Sequence, residues 1–213
     1  MRAYLPKTPN FIMRFFSTYV WRFSLDKKEI YLTFDDGPTT EITDFVLNKL
    51  KEYDAKATFF CIGKNVTNHT DIFKRVLKEG HSIGNHTQNH LNGWKTKSNS
   101  YLDNVLEVEE TLKKHHFNSQ KQKLFRPPYG KIKGKQAEEV IKKGYKIIMW
   151  SVLSGDFDTT ISNEKCLQNV LKNTKNGSII VFHDSVKAAE KVTFVLPKIL
   201  EEFSKQGYVF KAI

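Results

Sequence analysis

Residues 31–40 read YLTFDDGPTT. Asp35 and Asp36 stand side by side at the end of an apolar run, and Gly37 and Pro38 turn the chain at once. Adjacent carboxylates repel, so an apolar strand end keeps both only when each has a partner. Candidate partners lie further along. His86 and His90, in GNHTQNH, are four positions apart. On a helical turn both imidazoles would face one way, close enough for one metal ion. Alone, such a pair is more often a surface coincidence. One aspartate from a neighbouring strand end turns it into two His and one Asp. Three protein ligands and an open position make a catalytic zinc-type site. Zinc is the simplest occupant, although ligand type alone does not exclude cobalt, nickel or copper.

Hydrolysis at such a site needs a base for the water proton and an acid for the leaving group. Asp35, beside the ligand, suits the base. His183, in VFHD, ends another strand and suits the acid if a carboxylate such as Asp156 keeps it protonated. A core histidine bonded to backbone is the competing reading, and Asp184 reads as a helix N-cap. Arg126, in FRPPYG, either makes a rim salt bridge or orients Asp35; the free carboxylate favours the second. The two prolines and glycine of that motif form a stiff bend that would aim the Tyr129 backbone N–H at a developing oxyanion. Trp94, in HLNGWKT, reads equally as an exposed stacking platform or as a loop anchor.

These residues need a scaffold that brings five separated segments to one rim. From residue 30 onward, short apolar runs alternate with amphipathic stretches. The strand candidates are Ile30–Phe34, Ala57–Cys61, His81–Gly84, Lys123–Phe125, Lys146–Ser151, Ser178–Phe182 and Tyr208–Lys211. One helix is predicted with Ile42, Phe45, Val46, Leu50 and Tyr53 on its apolar face. Another covers about Leu102–Lys114, with Leu102, Val105, Leu106, Glu109 and Leu112 on one side. The last covers Ala188–Phe203, with Pro197 expected to kink it or begin a new turn. KEGHSIG, KKGYKII and KQGYVF repeat the glycine stop that ends a helix before a strand. Such alternation implies parallel strands joined by crossover helices. About seven βα units in roughly 185 residues fall short of a full eight-unit barrel, so the expected fold is α/β, a distorted (β/α)7 barrel with outer helices. A doubly wound open sheet is the alternative. In either, the site gathers at the carboxyl ends of the strands.

The 213 residues suffice for one domain with a sizeable core, and 39% hydrophobic content argues against disorder. The net charge of +11 favours anionic partners, yet the lysines are spread along helices and no nucleic-acid motif accompanies them, so no nucleic-acid partner is expected. Cys61 and Cys166 are too few for a disulfide framework or a Cys-type zinc site and read as small buried residues. Residues 1–29 form an aromatic, basic segment expected to pack on a catalytic domain at 30–213. Within FIMRFFSTYVWRFS (11–24), Phe11, Ile12, Phe15, Phe16, Tyr19, Val20 and Phe23 fall at helical spacing. The stretch resembles neither a cleavable signal peptide nor a membrane span, since Arg14 interrupts it and no small-residue cleavage site follows. Packing as a lid is favoured over peripheral contact with a membrane. A cytoplasmic or membrane-peripheral location is therefore expected.

TFDDGP, HTQNH, RPPYG, SGDF and VFH, in this order, resemble the motifs of the polysaccharide deacetylases, carbohydrate esterase family 4. The resemblance runs from about Ile30 to Ile213. It implies a distorted (β/α)7 barrel and metal-dependent removal of N- or O-acetyl groups from chitin, peptidoglycan or other acetylated sugars. By resemblance Asp35 is the base, and Asp36, His86 and His90 are the metal triad. Arg126 holds the base, Tyr129 supplies the oxyanion donor, Asp156 tunes His183, and His183 is the acid. Phe157 stands where the family often has Trp, and Val181 where it often has Leu; both keep an apolar wall, with altered sugar stacking expected. A related amidohydrolase or deformylase acting on a small or lipid-linked sugar is the second reading. A non-catalytic glycan-binding module is the third.

Overall fold

Alternation along the first strand sorts its residues into two faces. Ile30, Leu32 and Phe34 join an apolar cluster shared with the helices, whereas Tyr31 joins an inner cluster with Phe60, Leu124, Ile148 and Ile179. Successive strand residues point to opposite faces, so Thr33 and Asp35 share the inner face with Tyr31. The same rule puts Ile180 and Phe182 outside and leaves His183 on the side of Ile179.

The computed structural model describes residues 4–115 and 122–213. In chain order the elements are α1 (Asn10–Phe15), β1 (Glu29–Asp35), α2 (Ile42–Glu52), β2 (Ala57–Cys61), α3 (Gly63–Asn68), α4 (Thr70–Lys78), β3 (Ser82–Asn85) and α5 (Ser98–Lys114). There follow β4 (Lys123–Phe125), α6 (Gly134–Lys142), β5 (Tyr145–Ile147), β6 (Val152–Leu153), α7 (Asn163–Asn173), β7 (Ile179–His183), α8 (Ala189–Lys205) and β8 (Val209–Phe210). The strands lie in the order β5-β4-β3-β2-β1-β7-β6, with β8 beside β1, and every neighbouring pair is parallel. The chain is thus the distorted (β/α)7 barrel expected from its sequence, left incomplete because β5 and β6 end the strand order without pairing. Register sets Asp35 beside His183, and β1 is flanked by β2 and β7.

Of the strand expected at Lys146–Ser151, only Lys146 and Ile147 lie in a strand, β5, and β6 begins beyond it at Val152. β5 stops at Ile147 because the carbonyls of Ile148 and Met149 accept hydrogen bonds from Arg126, at 3.1 and 3.0 Å, instead of from a strand. The chain then crosses to β6, from which Asp156 follows.

Residues 4–24 fill the gap between β5 and β6. Val20 donates to the Ile147 carbonyl at 2.9 Å and accepts from the Met149 N–H at 2.7 Å. On the other side Thr8 donates to the Ser151 carbonyl, and the Leu153 N–H donates to Pro6, at 3.0 and 2.8 Å. Bare strand edges carry unpaired backbone groups, and this segment satisfies them. The helix suggested by spacing over 11–24 therefore exists only as α1; beyond Phe15 the backbone is drawn onto the seam. Trp21, absent from the expected stripe, is the buried anchor, and its Nε1–H donates to the Phe16 carbonyl at 2.9 Å.

Two helices also depart from expectation. α5 begins earlier and buries Tyr101, Asn104, Val105, Val108 and Thr111, a face rotated from the expected one. Glu109, counted on that face, instead accepts from Lys123 at 2.9 Å. α8 runs unbroken through Pro197, although an interior proline costs about 3 kcal/mol. Val192, Val195, Leu196, Ile199, Leu200 and Phe203 are all buried in the outer cluster on both sides of the proline, which holds the helix together. The glycine stops are as expected: Gly80, Gly144 and Gly207 have φ of +78°, +86° and +78°. Cys61 and Cys166 are free and buried. No described helix is long and apolar enough to cross a membrane.

Candidate functional site

The two aspartates diverge because the backbone reverses between them. Asp35 ends β1 and keeps the inward direction of the strand, whereas Asp36 has φ of +83°, a left-handed conformation that Asp adopts more readily than most residues. Several bonds hold this turn. The Asp36 N–H donates to the Phe60 carbonyl at 3.3 Å, and Asn65 Nδ2 donates to the Asp36 carbonyl at 2.7 Å. The Gly37 N–H donates to Asp184 Oδ1 at 2.9 Å. A side chain at Gly37 would meet Asp184 Oδ2 at 1.9 Å, so only glycine fits there.

Asp36 faces His86 and His90. Its Oδ1 lies 3.7 Å from His86 Nε2 and 3.2 Å from His90 Nε2, and the three ligand atoms fall within 4.8 Å of one another. The expected helical turn between the histidines is absent: residues 86–92 are irregular, with a bend at 88–89 and Thr87 and His90 at φ of +64° and +55°. Two left-handed residues, rather than helical pitch, converge the rings. The loop is tied down by Asn85, which accepts from the Thr87 N–H at 2.8 Å, and by Asn104, which accepts from the Asn89 N–H at 3.0 Å.

The donor set suits a divalent cation. Asp36 Oδ1 is buried without a hydrogen-bond partner, a costly condition that a bound cation would relieve. His86 Nδ1 is paired with the Arg126 carbonyl at 2.7 Å, which makes it the protonated nitrogen and leaves Nε2 as the ligand atom. Burial pushes the His86 pKa down to about 4, against the pull of Asp35 and Asp36, so its ring is neutral as a ligand must be. Burial alone would raise the Asp36 carboxyl, but His90, His183 and His86 outweigh it and hold the group well below the ordinary range.

On one side of this triad stands Asp35 with Arg126. Arg126 Nη1 donates to Asp35 Oδ1 at 2.7 Å and to Thr33 Oγ1 at 2.6 Å. The guanidinium is fully buried and lies 4.1 Å over the Phe60 ring. Burial lowers its pKa and Asp35 opposes that shift. With its other nitrogens on the Ile148 and Met149 carbonyls, it cannot turn away. On the other side, His183 Nδ1 meets Asp156 Oδ1 at 2.8 Å, and the His183 N–H donates to Asp156 Oδ2 at 2.6 Å. Burial would lower the His183 pKa, but Asp156, then Asp36 and Asp35, raise it to about 10. The imidazole therefore carries a proton at neutral pH.

Three aromatic residues complete the expected set. Tyr129 is 59% exposed, its ring centroid is 4.6 Å from that of His90, and its φ of +60° is strained for a tyrosine. Phe157 packs edge-on against His183 at 5.3 Å and, tilted, against Tyr4 at 5.1 Å, walling one side of the imidazole. Trp94 is anchored by its Nε1–H on the Ile132 carbonyl at 3.2 Å and lies under the Lys131 ammonium at 5.2 Å, with its ring 60% exposed.

Asp184, expected as a helix N-cap, does something else. Ser185 leads into a 3-10 turn at Val186–Ala188 and Ala188 caps α8, while the buried Asp184 carboxylate accepts from Thr43 Oγ1 at 2.7 Å as well as from Gly37. Its own N–H donates to the Asp35 carbonyl at 3.0 Å, and its carbonyl accepts from Thr39 Oγ1 at 2.7 Å. Burial raises its pKa to about 7. Asp184 thus binds β7 to the turn that carries both aspartates. Its adjacency to His183 was the one available sign of this role.

Comparison with known proteins agrees with this geometry. A family model described as polysaccharide deacetylase matches residues 24–148. A peptidoglycan-N-acetylglucosamine deacetylase of Bacillus cereus is 36% identical over 194 residues, covering 91% of this chain and 90% of that protein. The crystal structure of the Bc1960 peptidoglycan N-acetylglucosamine deacetylase superimposes with a TM-score of 0.87 at 33% identity, over 97% of this chain and 95% of that one. A mutant of a CE4 family pseudoenzyme is also similar, with a TM-score of 0.80 at 25% identity over 92% of this chain and 69% of that one. Matched over more than half its length by the family model, and over nine-tenths by a peptidoglycan-N-acetylglucosamine deacetylase, the chain belongs to the polysaccharide deacetylase family.

Proposed function

We propose that the chain removes the acetyl group from N-acetylglucosamine units of a glycan, with peptidoglycan as the natural polymer. The observation that carries this reading is the buried, unpartnered Asp36 Oδ1 facing two histidines, with Asp35 held by Arg126 on one side and His183 held by Asp156 on the other. Asp36, His86 and His90 would hold one divalent cation, zinc being the simplest, and when bound it supplies Lewis-acid activation of water and of the acetyl carbonyl.

The chain's own residues do the rest. Asp35 takes a proton from the attacking water, and Arg126 keeps the receiving carboxylate in place. The water oxygen bonds to the acetyl carbon, and the strained Tyr129 aims its backbone N–H at the oxyanion that develops. His183, kept charged by Asp156, donates its proton to the sugar nitrogen as the C–N bond breaks. The products are acetate and a free amine. Phe157 excludes water beside His183, and the exposed faces of Tyr129 and Trp94 offer stacking surfaces for sugar rings. Residues 4–24 act as the barrel's closing segment and residues 30–213 as its catalytic body.

Acetate release from chitooligosaccharides and from peptidoglycan fragments, before and after chelation, tests the reading. Chelated protein should be idle and added zinc should restore turnover. Turnover indifferent to chelator would refute the metal assignment. Tight glycan binding without acetate release, even with zinc, would favour the glycan-binding module.

A further inference from the structure

We propose that α1 and the residues after it dock the protein on an anionic phospholipid surface. α1 contributes no buried residue, although it is rich in aromatic side chains. Its Ile12 and Met13, with Tyr19, pack against the cluster around Trp21. Phe11 and Phe15 point away and are 71% and 81% exposed, with Phe16 42% exposed beside them. Phe15, Phe16 and Tyr19 touch ring to ring, at 4.9 and 5.6 Å, so the aromatic surface is continuous. Ten large apolar or aromatic side chains are exposed among the described residues, and three of them (Phe11, Phe15 and Phe16) lie on or directly after this one short helix. Scattered exposure needs no explanation, whereas this concentration does.

Charge identifies the occupant. Residues 1–25 contain Arg2, Lys7, Arg14 and Arg22 and not one Asp or Glu; the first acid is Asp26. Lys7, Arg14 and Arg22 are exposed and have no acidic partner among the described residues. Arg14 sits between Phe11 and Phe15 on the same helix, one turn from the first and adjacent to the second. Aromatic rings with unpaired basic heads, free of acids, match the interface of an anionic bilayer: the rings enter the headgroup region and the cations meet phosphate. A protein partner or a second copy has no need of a segment purged of acids. The segment is also well placed to bear load, since its backbone is bonded into the barrel seam at Val20, Thr8 and Pro6.

The test is flotation of the full chain with vesicles of phosphatidylcholine, with and without one part in three phosphatidylglycerol. The chain should float with the anionic vesicles only, and less as salt rises from about 0.1 to about 1 M. Phe11→Ser combined with Phe15→Ser should cut the bound fraction by about tenfold or more. Its acetate release from a soluble chitooligosaccharide should be unchanged, showing that the fold is intact. Arg14→Glu, an exposed change with no packing to lose, should weaken binding independently. Absence of flotation by the parent chain would overturn the proposal, and so would equal flotation of the phenylalanine variant. A dimer in sedimentation velocity that this variant dissociates would assign the patch to a second copy and overturn it equally.

Discussion

In the proposed mechanism, neighbouring residues take opposite duties. Asp35 is tied to a buried arginine, whereas Asp36 is left with an oxygen that no protein group satisfies. His183 gains its charge from Asp156, with consequences for both activity and stability. Its folded pKa of about 10 lies above the ordinary 6.5, so its contribution to stability is complete below about pH 6.5 and is lost as pH rises through about 10. Asp156→Asn removes the main support of the charged imidazole. The basic limb of kcat/KM should then move to lower pH by about 1–3 units, as a pH–rate profile would show. An unmoved limb would mean that another group donates the proton. Asp184 acts one step further back, through Gly37 and Thr43. Asp184→Ala should weaken zinc affinity by about 10–100-fold, read by competition with a chromophoric chelator, while Asp184→Asn, which keeps an acceptor for Gly37, should lose less. The ionisable residues were legible in the sequence because each sits in a distinctive local motif. The supporting role of Asp184, and the parts played by Thr43, Asn65 and Asn104, were not, since their bonds join separate segments and leave no periodic trace.

At the scale of elements, strand alternation explains how Asp35 and His183 come to face the same interior, and this was readable from residue 30 onward. The seam between β5 and β6 was not. Its closure depends on backbone groups of Val20, Thr8 and Pro6 meeting strand edges more than 120 residues away, and backbone pairing is blind to side-chain type. Helical spacing in 11–24 therefore misled beyond Phe15, and the buried Trp21 escaped notice. The expected helix between His86 and His90 failed for a related reason: the i, i+4 rule describes regular helix, and two left-handed residues reach the same convergence without it. Trp21→Ala should cost about 3–5 kcal/mol in urea unfolding, because a large buried ring leaves a cavity and the seam loses its anchor. A change below about 1 kcal/mol would show that the seam contributes little to stability.

For the whole molecule, the site couples metal to fold, because it gathers segments from β1, β3, β4, β6 and β7 around one unsatisfied oxygen. A ligand that binds only the folded state stabilises it by about 4 kcal/mol at 1,000 times its dissociation constant. Chelation should therefore lower the Tm, and zinc should restore it. In the proposed mechanism the two adjacent aspartates do different work, and a single substitution separates them. Asp35→Asn should be titrated with zinc and assayed for acetate release on the same preparation. The expected result is zinc affinity equal to that of the parent chain, with kcat reduced by about 10²–10⁴-fold. Lost zinc affinity, or turnover close to that of the parent, would contradict the division of labour between Asp35 and Asp36.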